Sequence, residues 1–170
     1  SHIDFESRPL TPYKAGRIWY DGLQKSSMIG MGYTDVVNDI GKELYTEVFN
    51  ATANPVINGD PISLNGLFTG QYPNIIPTDS SYVFSALAFT GVATMDIPVG
   101  EPGLITSFGL IKGVNTQSLI QGFIYADSNG WYTQIRPRFP EERILVGACI
   151  QTGVTDGILS TKSQRLTREA

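Results

Sequence analysis

Short apolar stretches rich in Val, Ile, Thr, Phe and Tyr alternate with glycine- and proline-bearing turns along the whole chain. None of them carries apolar positions at the three-to-four spacing of a helical stripe. The best helical candidate, YTDVVNDIGKELYTEVFN (33–50), is divided by Gly41. Its second half alternates, with Leu44, Thr46 and Val48 on one face and Tyr45, Glu47 and Phe49 on the other. Residues 44–49 are therefore predicted as a strand. The same reading places strands at 18–20, 28–33, 61–64, 104–112, 119–126, 131–135, 143–151 and 158–161, and a buried strand, bent at Gly91, within the apolar run 83–94. Gly109 marks a bulge or a close backbone approach. Turns fall at Asp21-Gly22, Asn58-Gly59, 97–103, 127–130 and Asp156-Gly157. Residues 65–81 are polar and punctuated by glycine and proline, and read as a surface loop.

Strands recurring every eight to twelve residues or so predict an all-β fold, a small β-barrel or β-sandwich body. The organisation expected is an N-terminal arm and first hairpin over 1–42, a β-rich body over 43–161, and a polar C-terminal tail over 162–170. Within the first segment, residues 1–15 are broken by prolines and read as an extended arm.

Composition narrows the function classes. With 16 Asp and Glu against 12 Lys and Arg, the net charge of −4 argues against nucleic acid as a partner. No segment reaches the ~20 uninterrupted apolar residues of a membrane helix, so membrane insertion is not expected. The N-terminal residues lack the charged start and apolar centre of a secretory signal. A single cysteine, Cys149, excludes an internal disulfide, and with one histidine, His2, no His/Cys metal cluster can be assembled.

Catalytic constellations are equally sparse. Asp21, Asp60, Asp127 and Asp156 stand where turns use a carboxylate to hold backbone amides. Asp96, Glu101 and the Glu141-Glu142 pair are formal candidates for a glycosidase pair, but no motif accompanies them. A Ser-His-Asp set would have to use His2 in the arm, and there is no Gly-x-Ser-x-Gly elbow. Cys149 sits among apolar neighbours in RILVGACIQ and reads as an inert core thiol. Asn50-Ala51-Thr52 fits a glycosylation sequon, which matters only on a eukaryotic secretory path. Trp131-Tyr132 follows a hairpin turn and reads as core packing rather than a ligand platform. The expectation is a protein that is not an enzyme, with no catalytic residue, cofactor or metal.

Five segments in order carry a resemblance: GRIWYDG, GKELYTEVFNATANPVINGDPISLNG, TGVATMDIPVGEPGLITSFGLIKGVNT, LIQGFIYADSNGWYT and ILVGACIQTGVTDGIL. Together they resemble a module of tailed-bacteriophage virion proteins, variously head fibres, capsid decoration proteins and tail-fibre segments. The similarity runs from Gly16 to Leu159 and is most specific in GVATMDIPVGEPGLITSFG. Ala53 stands where the pattern has glycine, and 66–81 follow no pattern of the module. The resemblance implies a non-enzymatic structural protein of the virion, assembled in the bacterial host cytoplasm. It implies a homotrimer, because a trimer would cover strand edges that a soluble monomer must otherwise blunt. The implied role is capsid decoration or a head-fibre base, with the major capsid protein or another virion protein as partner. Phe5, Pro9, Tyr13, Trp19 and Tyr20 are the expected assembly contacts. The alternative is a tail-fibre receptor-binding module recognising a host surface glycan or protein, with Trp19, Tyr72 or Tyr82 stacking on sugar rings. A polysaccharide-degrading enzyme using Asp96 or Glu101 is a third and weaker reading. Alternation sends Trp19 and its two neighbours to opposite faces of their strand, which makes GRIWYDG a hinge between arm and body.

Overall fold

The computed structural model describes residues 13–23 and 25–162. The chain divides after Leu44 into two compact units.

In the first unit, β1 (Ile18–Asp21), β2 (Ser26–Gly30) and β3 (Val37–Asp39) form an antiparallel sheet in that order. The Asp21-Gly22 turn behaves as its residues require, with the Leu23 N–H donating to the Asp21 carboxylate at 2.8 Å. The first hairpin thus gains a third strand that the pattern over 33–43 did not reveal, because β3 is only three residues long.

In the second unit, β4 (Leu44–Phe49) is followed by β5 (Pro61–Thr69), β6 (Tyr72–Pro77), α1 (Val83–Leu87), β7 (Phe89–Ala93) and β8 (Pro102–Val114). Then come β9 (Gly122–Ala126), β10 (Tyr132–Thr133), β11 (Leu145–Gln151) and β12 (Gly157–Lys162). One continuous sheet runs β10-β9-β11-β12-β8-β4-β6-β5-β7, and β7 pairs back onto β8. That last pairing closes β4, β6, β5, β7 and β8 into a five-stranded barrel, with the remaining strands as a wing on β8. The all-β body expected from the sequence is thus a barrel with a sheet attached.

Two segments depart from expectation. Residues 65–81 are not a loop: β5 and β6 form a hairpin, with Leu64 opposite Ile75 and Thr69 opposite Tyr72. A bulge between Leu64 and Phe68 interrupts the alternation there, so the strand pattern was hidden while Ile75 became fully buried in the barrel. In the run 83–94, only the second half is strand. Asp79 accepts from the N–H and hydroxyl of Ser81 at 2.8 and 2.6 Å, turning the chain into α1. The Ser85 hydroxyl then holds the Asp79 N–H at 2.9 Å, and the Ser85 carbonyl accepts from buried Ser63 of β5 at 2.8 Å.

Alternation supplies two cores. Val48, Ile62, Ile75, Ala93, Ile97 and Ile105 fill the barrel. Val92, Ile111, Ile124, Val146, Cys149 and Leu159 build a second core, against which Phe89 and Trp131 pack. The barrel seam needs Gly91, since a Cβ there would stand 2.4 Å from the Thr106 carbonyl oxygen. Gly109, by contrast, sits in the β8–β12 ladder opposite Thr161, and the register shift falls at Gly157–Ile158 instead.

Candidate functional site

The carboxylates considered for chemistry are engaged in holding loops. Asp60 accepts from the Ile57 N–H at 2.8 Å, and Asp96 accepts from the Asn58 N–H at 2.8 Å. The Asn58 amide nitrogen in turn donates to the Lys112 carbonyl at 2.9 Å. Burial raises the Asp60 carboxyl above its usual value, the Ile57 N–H pulls it back, and the nearby Asp96 charge raises it further. Asp127 takes the N–H groups of Asn129 and Trp131 at 2.8 and 2.9 Å. Asp156 accepts from the Gln151 amide at 3.2 Å. Glu101 is exposed and its backbone carbonyl accepts from Asn50 at 3.0 Å. Among the described residues, no group of three or more His, Cys, Asp or Glu side chains could hold a metal ion, and no helix is long and apolar enough to cross a membrane.

Cys149 is buried in the second core, and burial raises its thiol above the ordinary value, against a smaller lowering by Thr116. Asn50 is fully buried and cannot accept a glycan. Its amide nitrogen donates to the Asn54 and Ile97 carbonyls, each at 2.9 Å, and its oxygen accepts from the N–H and hydroxyl of Thr52. Tyr132 lies in the second core with its hydroxyl donating to the Gly59 carbonyl at 2.5 Å.

An apolar surface stands open on the outer face of the wing. Register aligns Leu110 of β8, Ser160 of β12, Ala148 of β11 and Phe123 of β9 in one row across four strands. Small residues occupy the middle and large apolar ones the ends. Phe123 is 67% exposed, Phe108 44% and Leu110 42%. Ile150 adds apolar surface on β11, and Tyr125 and Ile158 are half-buried. Lys112 and Lys162 are the charges on these strands, and no carboxylate interrupts them.

This face was not singled out from sequence, although a signal existed. SFGLIKG and GFIYA carry apolar residues at both parities, and a strand that is apolar on both sides is one that expects cover on both sides. Phe108 and Ile105 face opposite sides, Ile105 fully buried in the barrel and Phe108 outward. The edge argument for a trimer needs correcting, however. Closure of β7 onto β8 leaves the barrel without free edges, and the wing ends in a β10 of two residues. What lies open is a face.

Of the expected assembly contacts, Phe5 and Pro9 lie outside the described residues. Tyr13 is half-buried, its hydroxyl held by the Met31 and Tyr33 carbonyls. Residues 13–15 therefore belong to the first unit's packing rather than to a free arm. The Gly16 N–H donates to Gly30 at 2.8 Å, and Gly30 donates to Arg17 at 2.9 Å. Trp19 and Tyr20 lie on β1 opposite Met28 and Ser27, both half-buried. Tyr72 ends the β5–β6 hairpin, and Tyr82 precedes α1 with its ring 6.2 Å from that of Phe84.

Comparison of the chain with protein-family models, with curated proteins and with solved structures finds no match.

Proposed function

We propose that this chain is a non-enzymatic structural protein of a tailed-bacteriophage particle: a homotrimeric capsid decoration protein or head-fibre base that binds the capsid surface. The observation that carries the reading is the uncovered apolar face on β8, β12, β11 and β9. A second copy with the same face is its natural occupant, since homo-oligomers close by repeating one patch or its complement around an axis. At roughly 200 Å² per ring, the exposure of Phe108 and Phe123 leaves about 220 Å² of aromatic surface in water. At ~25 cal/mol per Å², burying it contributes about 5 kcal/mol per chain before the costs of association. The motifs from Gly16 to Leu159 support the virion context, and residues 1–12, with Phe5 and Pro9, are the segment assigned to the capsid.

Two measurements test this reading. Light scattering should give a species near three times the 18.5 kDa chain. Replacing Leu110 and Phe123 together by Glu should reduce it to one chain with an unchanged far-UV spectrum. Decoration of capsids stripped of this protein should be lost on deletion of 1–12, which leaves Tyr13 in place. A monomer at all concentrations, or full capsid occupancy without 1–12, overturns the proposal.

A further inference from the structure

Between Tyr45 and Lys162 the basic residues are Lys112, Arg136, Arg138, Arg143 and Lys162, and carboxylates outnumber them. All three arginines line a single cleft of about 870 Å³ between the end of β10 and the connection from β10 to β11. Its size falls within the ~300–1,000 Å³ of ligand sites. The connection is pinned at both ends. Gln134 accepts from the Ile120 N–H at 2.9 Å and donates to the Ile120 carbonyl at 2.7 Å. At the far end the Glu142 N–H donates to Ser80 at 2.7 Å, and Ala126 donates to Ile144 at 3.0 Å. Between the pins stand two prolines. Pro137 is buried while Arg136 and Arg138 on either side of it are exposed, so both side chains leave the loop outward. Proline holds the residue before it in extended backbone, which fixes the direction of Arg136.

The cleft also contains two carboxylates. Asp127 is turned into its own hairpin by the Asn129 and Trp131 amides, and Glu141 is exposed. A second depression of about 530 Å³ lies between residues 115–118 and that turn, lined by Asn115, Gln117, Ser118 and the part of Trp131 left open by the second core and by the Tyr132 ring 4.8 Å away. Asp127 of the first and Trp131 of the second are joined by an N–H to carbonyl bond of 3.0 Å.

We infer that these two depressions form one binding site for a carboxylate-bearing saccharide, an acidic ring in the arginine cleft and its neighbour against Trp131. Guanidinium forks match carboxylates in plane and in donor spacing. The uncharged amides and hydroxyl beside Trp131 suit ring hydroxyls, and an indole face suits the apolar face of a sugar ring. An acidic polypeptide is the less fitting ligand. An added strand needs a run of free backbone edge, whereas β10 offers two residues and Pro137 and Pro140 lack an N–H. The site does not depend on the virion reading, and uses none of Trp19, Tyr72 or Tyr82.

The test is calorimetric titration of the intact chain with a galacturonic acid trimer, its fully methyl-esterified form, and a glutamate hexapeptide. The acidic trimer should bind saturably, at least tenfold more tightly than the ester and than the peptide. Arg138→Gln should weaken it at least fivefold and Lys112→Gln less than twofold, each with an unchanged far-UV spectrum. Trp131→Phe should weaken the trimer more than it weakens galacturonic acid monomer. No heat or saturation at millimolar trimer overturns the proposal. So does equal binding of the ester, peptide binding as tight as the trimer's, or an Arg138→Gln variant that binds as the parent does.

Discussion

Replacing Tyr132 by Phe removes a single oxygen from the second core, and its cost can be worked from the geometry. The hydroxyl donates to the Gly59 carbonyl at 2.5 Å from a residue only 6% exposed. Gly59 itself is pressed into place: its φ is +99°, and a Cβ would meet Val114 Cγ1 at 2.4 Å. Its N–H donates to Ala93 of the barrel strand β7 at 2.8 Å. The bond from Tyr132 therefore ties the outermost wing strand to a turn fixed on the barrel. Losing a hydrogen bond costs about 1 kcal/mol net, and a carbonyl left buried without its donor costs ~1–3 kcal/mol more. The expected total is about 2–4 kcal/mol. With a urea dependence of ~2 kcal/mol per M, the unfolding midpoint followed by circular dichroism should fall by about 1–2 M.

The same oxygen gives a second readout. Burial, and after it the charge of Asp60, raises the Tyr132 hydroxyl well above the ordinary phenol value. A group whose pKa is higher in the folded state favours folding fully below its unfolded pKa, about 10 for tyrosine, and loses that contribution as pH rises towards the folded value. The parent should therefore lose stability above about pH 10 more steeply than Tyr132→Phe does. A variant within about 0.5 kcal/mol of the parent, with the same alkaline slope, would refute the assignment of this bond as a tie between wing and barrel.

Three further substitutions test other joints. Gly91→Ala places a Cβ 2.4 Å from the Thr106 carbonyl, and thermal denaturation should show a loss of ~3 kcal/mol or more as the β7–β8 seam is forced apart. Asn50→Asp sets a carboxylate oxygen against the Asn54 and Ile97 carbonyls in a fully buried corner, and should cost ~3 kcal/mol or more at pH 7, with partial recovery at pH 3 where an acid proton can donate. Asp60→Asn should act in the opposite sense. Because burial raises the Asp60 carboxyl above 3.8, its contribution is complete below that pH and lost as pH rises through the folded value. The melting temperature of Asp60→Asn relative to the parent should thus be higher at pH 7 than at pH 3.5.

Turn chemistry was the most legible part of this chain. Asp21, Asp127 and Asn58-Gly59 read locally as turns, and the bonds that make them turns span at most a few residues. Strands with a fully apolar core, such as 145–151, were equally plain. The hairpin of β5 and β6 was not, since Asn65-Gly66 and Thr69-Gly70 look like loop sequence, and only pairing with β6 makes the bulged strand regular. The short α1 escaped because its residues are those of a strand. Val83 and Phe84 are large and apolar, and they are exposed, so no periodicity of burial could mark them. For the candidate site the limit was different in kind. The prolines and arginines of 136–143 were visible as a loop, but the cleft exists only because Ser80 and Ile120, distant in sequence, hold the two ends of that loop. The row from Leu110 to Phe123 likewise depends on the register of three strand pairs.

The division into two cores marks where local pattern stops being sufficient. Val92 and Ala93 are consecutive on β7 and point to opposite faces, one into the second core and the other into the barrel. On β8, Ile105 and Ile111 have the same parity, yet Ile105 fills the barrel and Ile111 the second core. Parity alone therefore says that a side chain is covered, and not by which core. The decision is made where Val92 pairs with Thr106 and Ala93 with Ile105, the contact that closes the barrel and leaves the rest of β8 to run on into the wing. Beyond that seam β8 exchanges its partner β7 for β12, and the outward row of Phe108 and Leu110 begins there. Barrel closure and the exposed apolar face thus arise from the same long strand, and Gly91, placed where no side chain fits, is the trace of that arrangement in the sequence.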